Sequence, residues 1–202
     1  IHSYVMSTLK KGGKMATPSI SRKEWEKAQR EQRIIDIARD VFLEKGFEKT
    51  GIPAVADATG YNKRTIYLYF RDKEDLFLAV VLHCLCLLRD RLEDAAKNIP
   101  ADSIGLKIFA RAFFGFAREN PGFMDLIMVY ESRHFVYHES ERRQAGGERR
   151  AACQEVSQQM ADLATSALED AVKKGVLKTD LPPRALMLVI WGQMLGVIQV
   201  LR

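Results

Sequence analysis

An all-α fold follows from three features of the sequence. Apolar residues recur at three- and four-residue spacing along most of the chain, capping residues stand at the starts of those stretches, and no alternating run long enough for a strand occurs. No internal repeat is visible either.

The opening residues 1–20 have neither a starting Met nor an apolar core followed by a cleavage site. They read as a flexible basic arm or an expression remnant, and an arm of this kind can enter a minor groove beside a DNA-binding helix. Ser21-x-x-Glu24 is a capping box that opens helix one, Ile34, Ala38 and Val41 give that helix an inward stripe, and Gly46 ends it. The stretch from Thr50 to Leu76 then reads as two short helices joined by a turn at Gly60 and followed by a third, which is the pattern of a helix-turn-helix. Pro53 is tolerated in the first turn of helix two, and Val55, Ala56 and Ala58 give that helix a small apolar surface. Asn62 caps helix three and leaves Lys63, Arg64 and Thr65 on the N-terminal turn that a recognition helix presents to bases, while Ile66 and Phe70 face inward. An ordinary helical hairpin with a solvated basic face has the same local pattern.

Asp72 caps a long helix four, which carries Leu76, Phe77, Val80, Val81, Cys84, Leu88 and Leu92 at helical spacing as far as Asn98. Helix five runs from about Ser103 to Glu119, and Asn120-Pro121 restarts the chain into helix six, which reaches toward His138. The segment from Glu139 to Arg150, with Gly146-Gly147 and interleaved charges, reads as a loop. Helix seven covers about Ala151 to Lys174 and ends at Gly175, and helix eight starts near Pro182. The expected division is thus an arm at 1–20, a DNA-binding unit at 21–71, and a helical effector-binding and dimerisation unit at 72–202.

The order Phe47, Thr50, Val55-Ala56, Gly60, Thr65, Ile66-Tyr67, Tyr69-Phe70 and Lys73-Glu74-Asp75-Leu76 resembles the N-terminal domain of the TetR (tetracycline-repressor-like) family, without a gap from about Arg33 to Leu76. Thr59 and Asn62 stand where that family usually has Ala and Ser. The resemblance implies that Lys63, Arg64 and Thr65 read bases, and that Thr50, Tyr67, Tyr69 and Lys73 hold phosphates. It also implies an effector held among helices five to eight and a dimer formed by helices eight and nine. The chain ends at Arg202 within an apolar helical run, so a ninth helix is either absent or beyond the sequence.

Charge supports a polyanion partner for the N-terminal part. Residues 1–75 hold 15 Lys and Arg against 11 Asp and Glu, whereas residues 76–202 hold 16 against 15. The basic excess therefore sits on the segment that carries the helix-turn-helix. Three cysteines are an odd number, and Cys84 and Cys86 point to nearly opposite sides of one helix, so a disulfide framework is not expected and a reducing cytoplasm fits. His134 and His138 have a metal-compatible spacing but no third ligand nearby. His83, within an apolar run, reads as packed rather than ligating. Ala185 to Leu201 is apolar but short of the ~20 residues of a membrane span and contains Gln193 and Gln199, so an interface or core helix is expected.

Phe109, Phe113 and Phe116 fall on one face of helix five, and Met124, Ile127, Met128 and Glu131, with Phe123, form a wall on helix six. Met187, Trp191 and Met194 line one side of helix eight. Such stripes fill bundles as readily as they line an effector pocket, and Tyr130, Glu131 and Arg133 are polar groups that could orient a ligand. The opposite face of helix eight, Ala185, Val189, Gly192, Gly196 and Gln199, is rich in small residues that suit either a dimer seam or close packing within a subunit.

The expected function is a ligand-responsive transcriptional regulator, a repressor that binds (pseudo)palindromic operator DNA as a homodimer and is released by a small, largely apolar effector. No catalytic residue, cofactor, metal or membrane partner is expected. Nucleotide-binding glycine motifs, H-E-x-x-H and G-x-S-x-G are all missing from the sequence, which weighs against the alternative of a small helical enzyme. An architectural DNA-binding protein without an effector is the other alternative.

Overall fold

The computed structural model describes residues 21–98, 105–136 and 147–200. Eight helices make up this part: α1 (Arg22–Lys49), α2 (Ile52–Thr59), α3 (Lys63–Tyr67), α4 (Lys73–Lys97), α5 (Gly105–Glu119), α6 (Pro121–Val136), α7 (Gly147–Lys173) and α8 (Pro183–Val200). There is no strand among the described residues.

Local chemistry sets the ends of the first four helices. The Ser21 hydroxyl accepts from the Glu24 amide, and the Glu24 carboxylate accepts from the Ser21 amide, closing the capping box. Gly46 breaks the helical path with φ of 76°, a conformation that costs a residue without Cβ least. The break folds Phe47 back, so that its ring sits 6.0 Å from Phe42 and 4.7 Å from Phe77, while Phe42 and Phe77 meet at 5.2 Å. Three rings from α1 and α4 thus form one aromatic joint. Gly60 takes φ of 73° as the left-handed cap of α2. Asn62 Oδ1 accepts from the Thr65 amide at 2.8 Å to start α3, and Asp72 Oδ1 accepts from the Asp75 amide at 2.8 Å to start α4.

Thr59, the position that departs from the resembled family, is buried and ties this turn together. Its hydroxyl donates to the Ala56 carbonyl at 3.0 Å and accepts from the Tyr61 amide at 3.2 Å. Ala58, by contrast, lies exposed, so the inward face of α2 is Ile52, Val55, Ala56 and Thr59.

The spine of the molecule is α4. Buried residues occur on every side of it, from Leu76, Phe77 and Leu78 to Leu85, Leu88 and Leu92, and it packs against α1, α5, α6 and α7. A helix that is apolar all round has to be enclosed. One core runs continuously from the helix-turn-helix through α4 into α5–α7. The cysteines are free and buried within it, and burial pushes the Cys84 thiol up to about 12.

Three arginines fasten the C-terminal helices to the N-terminal unit. Arg149 donates to Asp75 at 2.8 Å, to Glu31 at 2.9 Å and to the Tyr69 carbonyl at 3.2 Å, with its guanidinium 4.9 Å from the centre of the Phe70 ring. Arg150 binds Glu74 at 2.9 Å. From α6, Arg133 binds Glu48 at 2.6 Å and stacks 4.0 Å above Phe47. This corrects the expectation of a loop up to Arg150: α7 already begins at Gly147, because Arg149 and Arg150 in its first turn are held by carboxylates of α1 and α4. The rest of that expected loop, residues 139–146, lies outside the described residues, as do the arm at 1–20 and the His138 member of the histidine pair.

Arg149 is the most heavily engaged of the three, and its loss would leave Glu31 and Asp75 partly buried without their cation. Breaking a fully buried pair costs about 3–5 kcal/mol. With these side chains 11–23% exposed, Arg149→Ala should destabilise the protein by about 2 kcal/mol, read as a lowered urea midpoint at unchanged slope. Arg149→Lys should recover little, since an ammonium cannot span three acceptors as a guanidinium does.

Candidate functional site

The end of the molecule built by α1–α3 carries a group of exposed cations. Lys63 and Arg64 stand exposed on the first turn of α3, and Tyr67 and Leu68 are 53% and 71% exposed at its end. Thr65 is tied to the cap, its hydroxyl donating to Asn62 Oδ1 at 3.0 Å. Tyr69 turns toward α1, where its hydroxyl accepts from Arg30 at 3.5 Å.

Two residues expected on phosphates are engaged elsewhere. Thr50 is 2% exposed, and its hydroxyl donates to the Gly46 carbonyl at 2.7 Å. The break at Gly46 leaves carbonyls without helical partners, and Thr50 satisfies one of them. Its side chain is therefore engaged as an internal tie. Lys73 donates to the carbonyls of Phe47 at 3.0 Å and Glu48 at 3.3 Å and lies 4.3 Å from the centre of the Phe47 ring. Two of its three protons serve the end of α1, which leaves one for a phosphate. Lys27 and Arg30, which sequence reasoning passed over, line a hollow of about 450 Å³ with Leu68 and Tyr69 beside α3. Their signal was weak: three-residue spacing on the polar face of α1.

The second feature is a cavity of about 340 Å³ between α4, α5, α6, α7 and α8. Leu92, Phe109, Met160, Met187 and Trp191 supply its apolar wall, and Tyr130, Glu131 and Ser157 its inner polar groups. Arg184, from the start of α8, also lines it, held by Gln158 at 2.8 Å and Asp162 at 3.5 Å on α7. Burial pushes the Glu131 carboxyl above the usual range, because its charged form has lost water and gained no cation.

Of the ten residues expected around an effector, Phe109, Glu131, Met187 and Trp191 line this cavity. The other six do not. Phe113 is fully buried behind it, its ring centre 5.3 Å from that of Trp191 in an edge-to-face arrangement. Phe116, Met124 and Ile127 are buried in the core, and Met128 and Met194 are partly buried against it. These positions fill the interior between α4 and its neighbours, where space is fully taken. The α7 lining, Ser157, Met160, Ala161 and Ala164, was missed, although small and polar residues at three- and four-residue spacing on an inward helical face hint at unfilled space.

The two sides of α8 divide as the pattern suggested. Met187 and Ile198 are buried and Trp191 and Met194 half-buried, whereas Val189, Gly192, Gly196 and Gln199 are exposed and Ala185 is intermediate. A Cβ placed on Gly192 or Gly196 would meet nothing within 4 Å. Among the described residues, nothing packs on the small-residue face at these two positions. With 18 residues and a mean hydropathy of 1.3, α8 reaches the length and composition of a membrane span, and 11% of it is buried.

Comparisons with known proteins agree with this arrangement. Residues 34–80 match the family model of the bacterial regulatory proteins, tetR family. The fatty acid metabolism regulator protein of Bacillus subtilis is 22% identical over 83% of this chain and 80% of its own length. Among solved structures, the transcriptional regulator FadR from Bacillus subtilis in complex with stearoyl-CoA superposes with a TM-score of 0.65 at 21% identity, covering 84% of this chain and 85% of that one. AibR in complex with isovaleryl coenzyme A and operator DNA gives 0.67 at 18% identity, covering 84% and 86%. At such identities the superpositions show the fold, and the family model covers the segment that bears the helix-turn-helix. Residues 34–80, which carry the helix-turn-helix, thus belong to the tetR family of bacterial regulatory proteins.

Proposed function

We propose that the protein is a ligand-responsive repressor that binds a palindromic operator as a homodimer in the cytoplasm and releases it when a small, largely apolar effector enters the cavity between α4 and α8. The boundary between its DNA-binding and effector-binding parts lies at Asp72. No catalytic step and no cofactor is part of this reading.

The observation that carries it is the shared use of α6 and α7. Glu131 lines the cavity two residues before Arg133, and Ser157 lines it two turns after Arg149. A ligand that displaces either helix pulls on the arginines that grip Phe47, Phe70 and the acidic groups of α1 and α4. The recognition helices of a dimer must match a groove repeat of about 34–36 Å, so a small rotation of each suffices to lower affinity. Coenzyme A thioesters in two regulators of the same fold support a cavity ligand with an apolar part. The apolar exposure of α8 supports the dimer, since Leu188, Val189 and Val197 are 61%, 49% and 45% exposed. The same face would suit a membrane, but Met187, Trp191 and Ile198 already pack inward.

Arg64→Ala should weaken binding at one or two operator positions by about 1–3 kcal/mol each while other positions keep their preference. Binding across a panel of operator variants checks this, and an unchanged preference would remove Arg64 from base reading.

Gly196→Leu adds a side chain whose Cβ meets nothing within 4 Å among the described residues, so the melting of the isolated subunit should not change. Sedimentation should nevertheless show monomers, and operator affinity should fall with them. A surviving dimer would move the seam off this face.

Trp191→Ala should blunt ligand-driven release of DNA by about tenfold or more, with operator affinity of the free protein close to normal. If Trp191 served only as core, stability would drop by as much as ~3–5 kcal/mol and DNA binding would fail along with the ligand response.

A further inference from the structure

We propose that the cavity selects a cationic amphiphile, a ligand with an apolar or aromatic body and one protonated amine that pairs with Glu131. This rests on the ligand-responsive reading above and specifies the chemistry of its effector. A volume of about 340 Å³, at the ~30 Å³ that one water occupies in the liquid, holds a body of about a dozen non-hydrogen atoms.

Glu131 differs from the other partly buried carboxylates. Glu31, Glu74 and Asp75 each have an arginine at 2.8–2.9 Å. Glu131 faces a largely apolar cavity and makes no hydrogen bond or ion pair with any described residue. The ionisable groups around it are accounted for on every helix that lines the cavity. Tyr130 beside it on α6 is neutral, with its pKa raised by burial, and so is Cys153 on α7. Arg150 on α7 is bound to Glu74, and Arg184 on α8 to Gln158 and Asp162. From α4 and α5 come only Leu92 and Phe109.

An ammonium group satisfies what the cavity leaves open. It pairs with the carboxylate, and a second proton reaches the Ser157 hydroxyl oxygen, which is buried without a partner. The indole of Trp191 adds an aromatic face of the kind that attracts cations. A neutral acyl chain would leave both polar groups unanswered, and an anionic ligand would oppose Glu131.

The probes are 2-(aminomethyl)naphthalene and its neutral isostere 2-ethylnaphthalene, with decanoyl-CoA as a third arm, titrated calorimetrically into the full protein and into Glu131→Gln. The amine should bind the parent more tightly than the isostere, and Glu131→Gln should weaken the amine by about 30-fold or more while leaving the isostere unchanged. Amine affinity should also fall on acidification through the raised pKa of Glu131, since protonation removes the anion. Folding of the variant is checked by its melting temperature. A carboxyl whose pKa is raised by folding contributes its full stability below its unfolded value of 4.5 and loses it as pH rises toward the folded value. Glu131→Gln should therefore melt higher than the parent near pH 7 and alike near pH 4. Equal affinity for amine and isostere, or an amine that ignores Glu131→Gln, would overturn the proposal. Release of operator DNA by decanoyl-CoA and not by the amine would also overturn it while leaving a ligand-responsive regulator standing. If no probe binds or alters operator affinity, the cavity reading fails and this proposal with it.

Discussion

Everything in this molecule is arranged around the need to enclose α4. Phe77 meets Phe42 and Phe47 of α1, Leu92 borders the cavity shared with α5–α8, and α4 as a whole packs against α1, α5, α6 and α7. No side of the helix can be left to water, for each large apolar side chain is worth about 1.5–3 kcal/mol when buried. The N-terminal unit cannot cover it alone, and neither can the C-terminal bundle. The two halves are therefore parts of one core, and their relative placement is set by packing against a common rod.

The joint is not purely apolar. Phe47, folded back by Gly46, is held by both Lys73 and Arg133, at 4.3 and 4.0 Å from the ring centre. Phe70, at the end of the recognition segment, has Arg149 over its face in the same way. Cation–π contacts and forked hydrogen bonds are directional where hydrophobic contact is not. They fix which way the helix-turn-helix faces after burial has fixed how close it lies. At the start of α6, a Cβ on Gly122 would come within 2.8 Å of Leu43, so a residue without one lets α6 lie against α1 at this joint.

Local signals in the sequence were read well where one residue type does one job. The capping box at Ser21, the caps at Asn62 and Asp72, and the left-handed glycines at 60 and 175 all stand where side-chain chemistry placed them. The inward stripe of α1 and the two faces of α8 followed from periodicity. Long-range pairing was not legible. Nothing near Arg149 in the sequence announces Glu31 and Asp75, so its segment read as a loop of mixed charge. The phosphate role of Thr50 came from resemblance, while the bond that holds it depends on the chain doubling back at Gly46. In the cavity, periodicity marked apolar faces but could not tell filled from unfilled space. Phe113 and Trp191 share a pattern, yet only Trp191 borders the void.

That distinction bears on how a signal would travel. A side chain in filled core, such as Met124 or Phe113, transmits strain in all directions because its neighbours have nowhere to go. A side chain on the cavity wall can move into the void or be pushed from it. Glu131 and Ser157 are such groups, and each sits on the same helix as an arginine of the joint. Helix α4, enclosed on all sides, is the element least able to shift by itself. In the proposed mechanism it turns only because α6 and α7 move against it. The arginines then convert a change in wall spacing into a change in the direction that α3 faces.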